Sequence, residues 1–395
     1  MEEVPTRIEP CFLSDSVPAE LTELAADIRA EAAVLGQGLP RHVIADLAEI
    51  VRVANAYHSN AIEGHETPPA DIEAALAGAD GSTSPLALEA KAHVDAQRMI
   101  DLMAVEGDLP SPTSGDFISW IHQKLYEAMP DEFSSIILPD GQGKAIRPGA
   151  FRVEGDHEVV VGRHQPPSSN RVTAFMKHYS NRYRQVGPNA LSRIIALPAA
   201  HHRLNYIHPF PDGNGRASRL MSHAMALDTG IGGHGLWSIA RGLRIGLGDM
   251  TEYKRMMDHA DHPRMGALDG RGNLSQKALI TFSRWFLTTV LEQIRFACRI
   301  FSMEALETRC RDFIRLSCDD VAAPALMSAV QRRAMDIGDL TRTLNADSSE
   351  VAVSVTRLRE LGVLQSTGDQ GVLSIAFPVS AGSLMFPEFF SVTAA

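Results

Sequence analysis

Twelve residues, His208-Pro209-Phe210-Pro211-Asp212-Gly213-Asn214-Gly215-Arg216-Ala217-Ser218-Arg219, place a base, an acid, a glycine-flanked amide and two arginines in one short window. Gly213 and Gly215 permit positive φ, so successive N–H groups can converge on one concavity. The apolar run that follows, Leu220-Met221, reads as a helix whose positive N-terminal end adds to the attraction for an anion. Arg216 and Arg219 stand three apart, on one helical face, and two guanidinium forks beside such a nest suit a polyphosphate better than a single carboxylate. Asp212 next to phosphates is a natural Mg²⁺ ligand, because that cation takes one or two carboxylates together with phosphate oxygens. His208, whose ordinary pKa lies near neutrality, is the available general base.

These residues resemble, without departure, the signature of the Fic-domain family: His, any residue, Phe, any residue, Asp or Glu, Gly-Asn-Gly-Arg, two residues, Arg. The resemblance extends over roughly residues 105–260, with Pro166-Pro167 and a candidate hairpin at 151–162. It implies a helical domain that transfers AMP from ATP to a Ser, Thr or Tyr hydroxyl of a target protein and releases pyrophosphate. In that comparison His208 takes the proton of the target hydroxyl and Asp212 holds Mg²⁺. Gly213, Asn214 and Gly215 cradle the phosphates, Arg216 and Arg219 hold the β and γ groups, and Phe210 is a core anchor.

Upstream, Ser59-Asn60-Ala61-Ile62-Glu63-Gly64 follows an apolar helical stretch, Val51 to Tyr57. By itself Glu63 before a glycine reads as a solvated helix end. Beside the signature it resembles the inhibitory motif of Fic proteins, Ser59 and Gly64 marking the motif and Glu63 pairing with the second signature arginine. That implies a Glu63–Arg219 ion pair and an autoinhibited enzyme. The candidate hairpin, with Phe151, Arg152 and Val153 on one strand and Val159, Val160 and Val161 on the other, resembles the flap that docks a target segment by strand addition. His201 and His202 read as scaffold, and Tyr253 lies on a helix that could approach the base of the nucleotide. Removal of AMP by the same site is the alternative reaction; phosphoryl or phosphocholine transfer fits less well with both arginines in place. Self-modification is an expected side activity, and a homodimer is open.

The elements that must position this loop read mainly as helix. Apolar residues recur at three- and four-residue steps over Ala19–Leu35, Arg41–Ala56 and Ala87–Val105, with a Gly/Ser/Thr loop over Gly78–Pro85. A Pro/Gly/Ser-rich linker, Gly107–Gly115, precedes a helix over Asp116–Ala128. Between Leu191 and Tyr206, Pro198 predicts a kink or a later helix start. Near the C-terminus a helix beginning at Ile337, a second capped at Ser348 and stopped by Gly362, and strands at Val363–Gln365 and Val372–Ile375 around a turn form a winged helix-turn-helix pattern. The expected organisation is an N-terminal helical region (1–105) with the inhibitory helix, a Fic catalytic domain with following helices (106–300), and a winged-helix-like domain (301–395).

Composition bounds the partners. The 395 residues carry 37 Lys+Arg against 48 Asp+Glu, net charge -11, which excludes a dominant electrostatic footprint for nucleic acid or anionic membrane. The last 93 residues hold eight arginines, no lysine and twelve acidic residues. DNA binding through 337–376, as in a Fic-containing DNA-binding regulator, is an alternative that this charge does not favour, and a protein-interaction or dimer-stabilising role for the module stands beside it. Cys11, Cys298, Cys310 and Cys318 show no metal-ligand spacing. An acidic N-terminus and the lack of any long uncharged apolar run point to a cytoplasmic protein.

Overall fold

A computed structural model describes residues 3–13, 17–78, 84–137, 141–317, 322–332, 336–367 and 372–391. Four helices come first: α1 (Ala19–Val34), α2 (Arg41–Ile62), α3 (Pro69–Leu76) and α4 (Pro85–Glu106). Then follow α5 (Gly115–Glu127), a short antiparallel pair β1 (Ser135–Ile137) and β2 (Gly143–Ala145), α6 (Val172–Arg184), α7 (Ala190–Ile207) and α8 (Asn214–Asp228). Next come α9 (Ile239–Ile245), α10 (Glu252–Ala260) and the long α11 (Gln276–Ile300). The C-terminal part holds α12 (Met303–Ser317), α13 (Ala322–Gln331), α14 (Ile337–Leu344), α15 (Ser348–Glu360), the antiparallel pair β3 (Leu364–Thr367) and β4 (Val372–Ile375), α16 (Val379–Met385) and α17 (Pro387–Phe390).

The fold is mainly α, as expected, and α7 and α8 lie at its centre. Residues of α7 from Ile194 to Leu204 are buried on every face, and α8 is buried from Ala217 through Ala226. Helices buried on every side, polar residues such as His201, Arg203 and Arg219 included, have no face left for solvent and run through the core. Pro198 sits inside α7, which runs from Ala190 with Asn189 Oδ1 accepting the Ser192 N–H (3.1 Å); the helix does not start a turn later.

Two expectations about segments change. The helix expected to stop at Ala56 continues to Ile62, so Ser59 and Asn60 are helical and fully buried. The hairpin expected at 151–162 is absent: Phe151–Val153 and Glu158–Val160 have no strand pairing, and the one bridge in that region joins Val161 to His164. The pair β1–β2 lies upstream instead, with Ser135 opposite Ala145 and Ile137 opposite Gly143.

The helix–turn–helix–hairpin arrangement is present in α14, α15, β3 and β4, and residues 368–371 of its expected turn lie outside the described residues. The same holds for 79–83 of the Gly/Ser/Thr loop and for Cys318. This module is not walled off. One continuous buried apolar cluster joins it to the rest, and Phe389 sits between Phe296 and Phe301 with ring centroids 5.3 Å from each. Arg309 pairs with Glu388 (2.9 Å), and the His58 ring on α2 bonds the Phe389 carbonyl (2.7 Å). Among the described residues, no helix is long and apolar enough to cross a membrane.

Candidate functional site

The loop between α7 and α8 is held open by its own backbone. His208 ends α7 in the left-handed region (φ 50°, ψ 62°), its N–H bonded to the Leu204 carbonyl (3.0 Å). Positive φ on a non-glycine residue costs energy and persists only where surroundings over-determine it. Arg152 provides that constraint. Fully buried, it donates from Nε to the His208 carbonyl (2.9 Å) and from Nη2 to the Ile207 (3.3 Å) and Pro167 (3.1 Å) carbonyls, while Nη1 reaches Ser169 Oγ (3.0 Å). Its own N–H bonds the Pro209 carbonyl (2.8 Å). Arg152 therefore clamps the loop, and its backbone N–H is spent on the Pro209 carbonyl instead of a strand partner. Phe151 turns inward as well, its ring 5.2 Å from that of Phe210, whereas Val153, Val160 and Val161 are exposed.

Phe210 is the expected core anchor, fully buried and stacked on His122 (centroids 3.9 Å). Asn214 Oδ1 accepts the Phe210 N–H and its Nδ2 donates to the Phe210 carbonyl, both at 2.9 Å. The Asn214 side chain is thus spent on closing the loop, and what remains for an anion is the first turn of α8. Gly213 has φ 75°, and a Cβ there would lie 2.6 Å from the Tyr126 ring, so both conformation and space exclude a side chain.

The two signature arginines point to different partners. Arg219, fully buried, donates from Nη2 to Glu63 Oε1 (2.6 Å) and to the Ser59 carbonyl (3.0 Å), and from Nε to Ser59 Oγ (2.8 Å). Glu63 occupies the C-cap of α2, and Gly64 follows with φ 92°, which turns the chain away beneath the carboxylate. Burial acts to raise the Glu63 carboxyl, but the Arg219 charge and hydrogen bond outweigh it and hold its pKa below the usual value. A Cβ on Gly215 would overlap this same carboxylate. Arg216, also buried, turns the other way: Nη1 bonds Glu89 of α4, and Nη2 reaches Tyr126 Oη (3.0 Å) and Asp212 Oδ2 (3.3 Å).

Asp212 is half exposed and accepts from Tyr126 Oη (2.7 Å). Desolvation works against its charge, yet Arg216 and the Tyr126 bond keep the carboxyl below its ordinary pKa, hence ionised at neutral pH. Its backbone carbonyl faces His122 Nε2 (3.2 Å), and the Gly149 N–H donates to His122 Nδ1 (2.9 Å), which makes Nε2 the protonated nitrogen. Desolvation depresses His122 to about 4, so it stays neutral. An ionised carboxylate beside backbone N–H groups is a hard oxygen donor of the kind Mg²⁺ takes.

His208, Glu63, Gly215 and Arg219 share one cleft of about 500 Å³, further lined by Val161, His164, Tyr206 and Tyr253. Desolvation, with the Arg152 charge second, lowers His208 to about 4 and leaves its imidazole neutral at pH 7. Tyr253 lines the cleft wall, its hydroxyl bonded to His201 Nε2 (2.8 Å); His201 and His202 are buried. Sequence reading missed Glu89, Tyr126 and His122. Tyr126 and His122 lie four apart on α5, a one-face spacing that was visible, whereas Glu89 carries no local signal.

Residues 112–226 match the model of the Fic/DOC family. A protein of Drosophila mojavensis named protein adenylyltransferase Fic is 34% identical over 110 residues, 27% of this chain and 21% of that protein. A protein of the same name from Nematostella vectensis is 27% identical over 184 residues, 44% of this chain and 37% of its own length. These alignments span about a fifth to little more than a third of the relatives' length. The crystal structure of a Fic family protein from Desulfovibrio desulfuricans G20 superposes with a TM-score of 0.53 at 16% identity, covering 91% of this chain and 97% of that one, a likeness of fold. With its loop geometry and helical core, the chain carries over residues 112–226 a segment that matches the Fic/DOC family.

Proposed function

We propose that this chain is an autoinhibited protein adenylyltransferase that moves AMP from ATP to a Ser, Thr or Tyr hydroxyl of a protein, itself included. The observation that carries the reading is the contact of Glu63 with Arg219 (2.6 Å) inside the cleft that holds His208. His208, neutral and aimed into the cleft, takes the proton of the attacking hydroxyl. The hydroxyl oxygen bonds to the α-phosphorus as the bond from that phosphorus to the bridging oxygen breaks, and pyrophosphate leaves. The N–H groups at the start of α8 and the Arg219 guanidinium bind the negative charge of the phosphates. Asp212 would hold Mg²⁺, which when bound neutralises phosphate charge.

In the resting state Glu63 and Ser59 engage Nη2 and Nε of Arg219, and the Glu63 charge repels a triphosphate. Catalysis therefore requires the turn Glu63–Gly64 to withdraw. The experiment is paired labelling of the Glu63→Gly variant with ATP carrying label at the α or the γ phosphate. Protein-bound label from the α position alone is expected; label from the γ position would replace the reading with phosphoryl transfer. Loss of label from a pre-modified protein with no forward transfer would replace it with AMP removal.

A further inference from the structure

We propose that Glu89 is a positioning residue for the metal: by neutralising Arg216 it leaves the Asp212 carboxylate free to bind a divalent cation. This rests on the assignment of Asp212 as the Mg²⁺ ligand.

Arg216 Nη2 stands 3.3 Å from Asp212 Oδ2, close enough for an unbalanced guanidinium to compete with a cation for that carboxylate. Glu89 prevents this. It is 1% exposed, lies on α4, and bonds Arg216 Nη1 on the side away from Asp212. Its second oxygen takes His65 Nδ1 (2.8 Å), so both carboxylate oxygens are engaged and the group cannot turn aside. Arg216 in turn is 4% exposed, and its Nε has no partner among the described residues. With Glu89 present, Glu89, Arg216 and Asp212 together carry one negative charge, available to a cation. Without it, the Arg216–Asp212 pair is neutral. Arg216 is then a support for Asp212, and His65, two residues beyond Glu63, ties the same turn to both arginines.

The test is Mn²⁺ binding by the full-length chain in the Glu63→Gly background, read by electron paramagnetic resonance with a non-hydrolysable ATP analogue present. Glu89→Gln keeps size and removes charge; Glu89→Asp keeps charge and loses a methylene. Charge neutralisation predicts that Glu89→Gln weakens Mn²⁺ by about 10- to 100-fold, as supporting residues around metal ligands commonly do, while Glu89→Asp retains most of the affinity. Binding of the analogue without metal stays unchanged or tightens in Glu89→Gln. A merely structural Glu89 would reverse the order, with Gln tolerated and Asp impaired, and that result overturns the proposal. Asp212→Ala separates the two assignments. If it still binds Mn²⁺, the metal reading falls; if it loses Mn²⁺ while folded Glu89→Gln keeps it, only the role of Glu89 falls.

Discussion

Arg152→Met removes the clamp on the catalytic loop while keeping an apolar stem of similar length. Three carbonyls, of Pro167, Ile207 and His208, and the Ser169 hydroxyl then lose their guanidinium partner. Each buried hydrogen bond is worth about 1 kcal/mol net, and acceptors left without a donor cost more, so the loss sums to roughly 3–5 kcal/mol. The left-handed conformation of His208 also loses its main external support, so AMP transfer should fall along with stability. The assay is urea denaturation, where a lower midpoint at unchanged slope reports stability, alongside transfer of α-labelled AMP in the Glu63→Gly background. A docking residue on a flap would behave oppositely, with an unchanged midpoint and loss confined to modification of a target in trans. That pattern would refute the reasoning.

Acid should destabilise the fold through its buried histidines. Desolvation, helped by nearby arginines, pushes His58, His93 and His201 down to about 3 from 6.5. Their contribution is fully present above pH 6.5 and is lost as pH falls toward about 3, because the unfolded chain binds the protons first. Each adds a slope of roughly 1.4 kcal/mol per pH unit, so the melting temperature should drop steeply between about pH 6 and 4; a flat profile there contradicts the assigned burial. Phe389→Ala empties a fully buried ring site between Phe296 and Phe301 and should cost about 3–5 kcal/mol by denaturant titration. Independent unfolding of the C-terminal module with no change elsewhere would contradict its packing onto α11.

The loop was legible because its residues are local: His208, Asp212, the two glycines and Arg219 fall within twelve residues. Glu63 was legible only through the resemblance that its spacing from Ser59 carries, because its contact with Arg219 joins positions 156 apart. Glu89 was not, because its contact with Arg216 joins positions 127 apart and nothing near Glu89 in α4 sets it apart from a solvated helix acid. The valines at 159–161 show how alternation misleads. They fit a strand, yet the Arg152 N–H bonds the Pro209 carbonyl (2.8 Å) and the Val161 N–H the His164 carbonyl (3.0 Å), and no ladder joins the two segments. The strands that form just upstream, β1 and β2, are three residues each, too short for a periodic signal. The end of α2 was read six residues early because polar Ser59 and Asn60 resemble a terminus, whereas Arg219 and the buried setting hold them in the helix.

The central claim, one site for transfer with Glu63 as its brake, is tested most directly by the transfer of α-label from ATP in the presence of Mg²⁺. Wild type, Glu63→Gly and Glu63→Gly/His208→Ala are compared on self-modification and on added protein. The account predicts weak labelling of wild type, strong labelling of the single variant, and a return to background in the double variant, since a general base contributes about 10²–10⁴-fold. Labelling of wild type as strong as that of Glu63→Gly would contradict the brake, and strong labelling that survives His208→Ala would contradict the site.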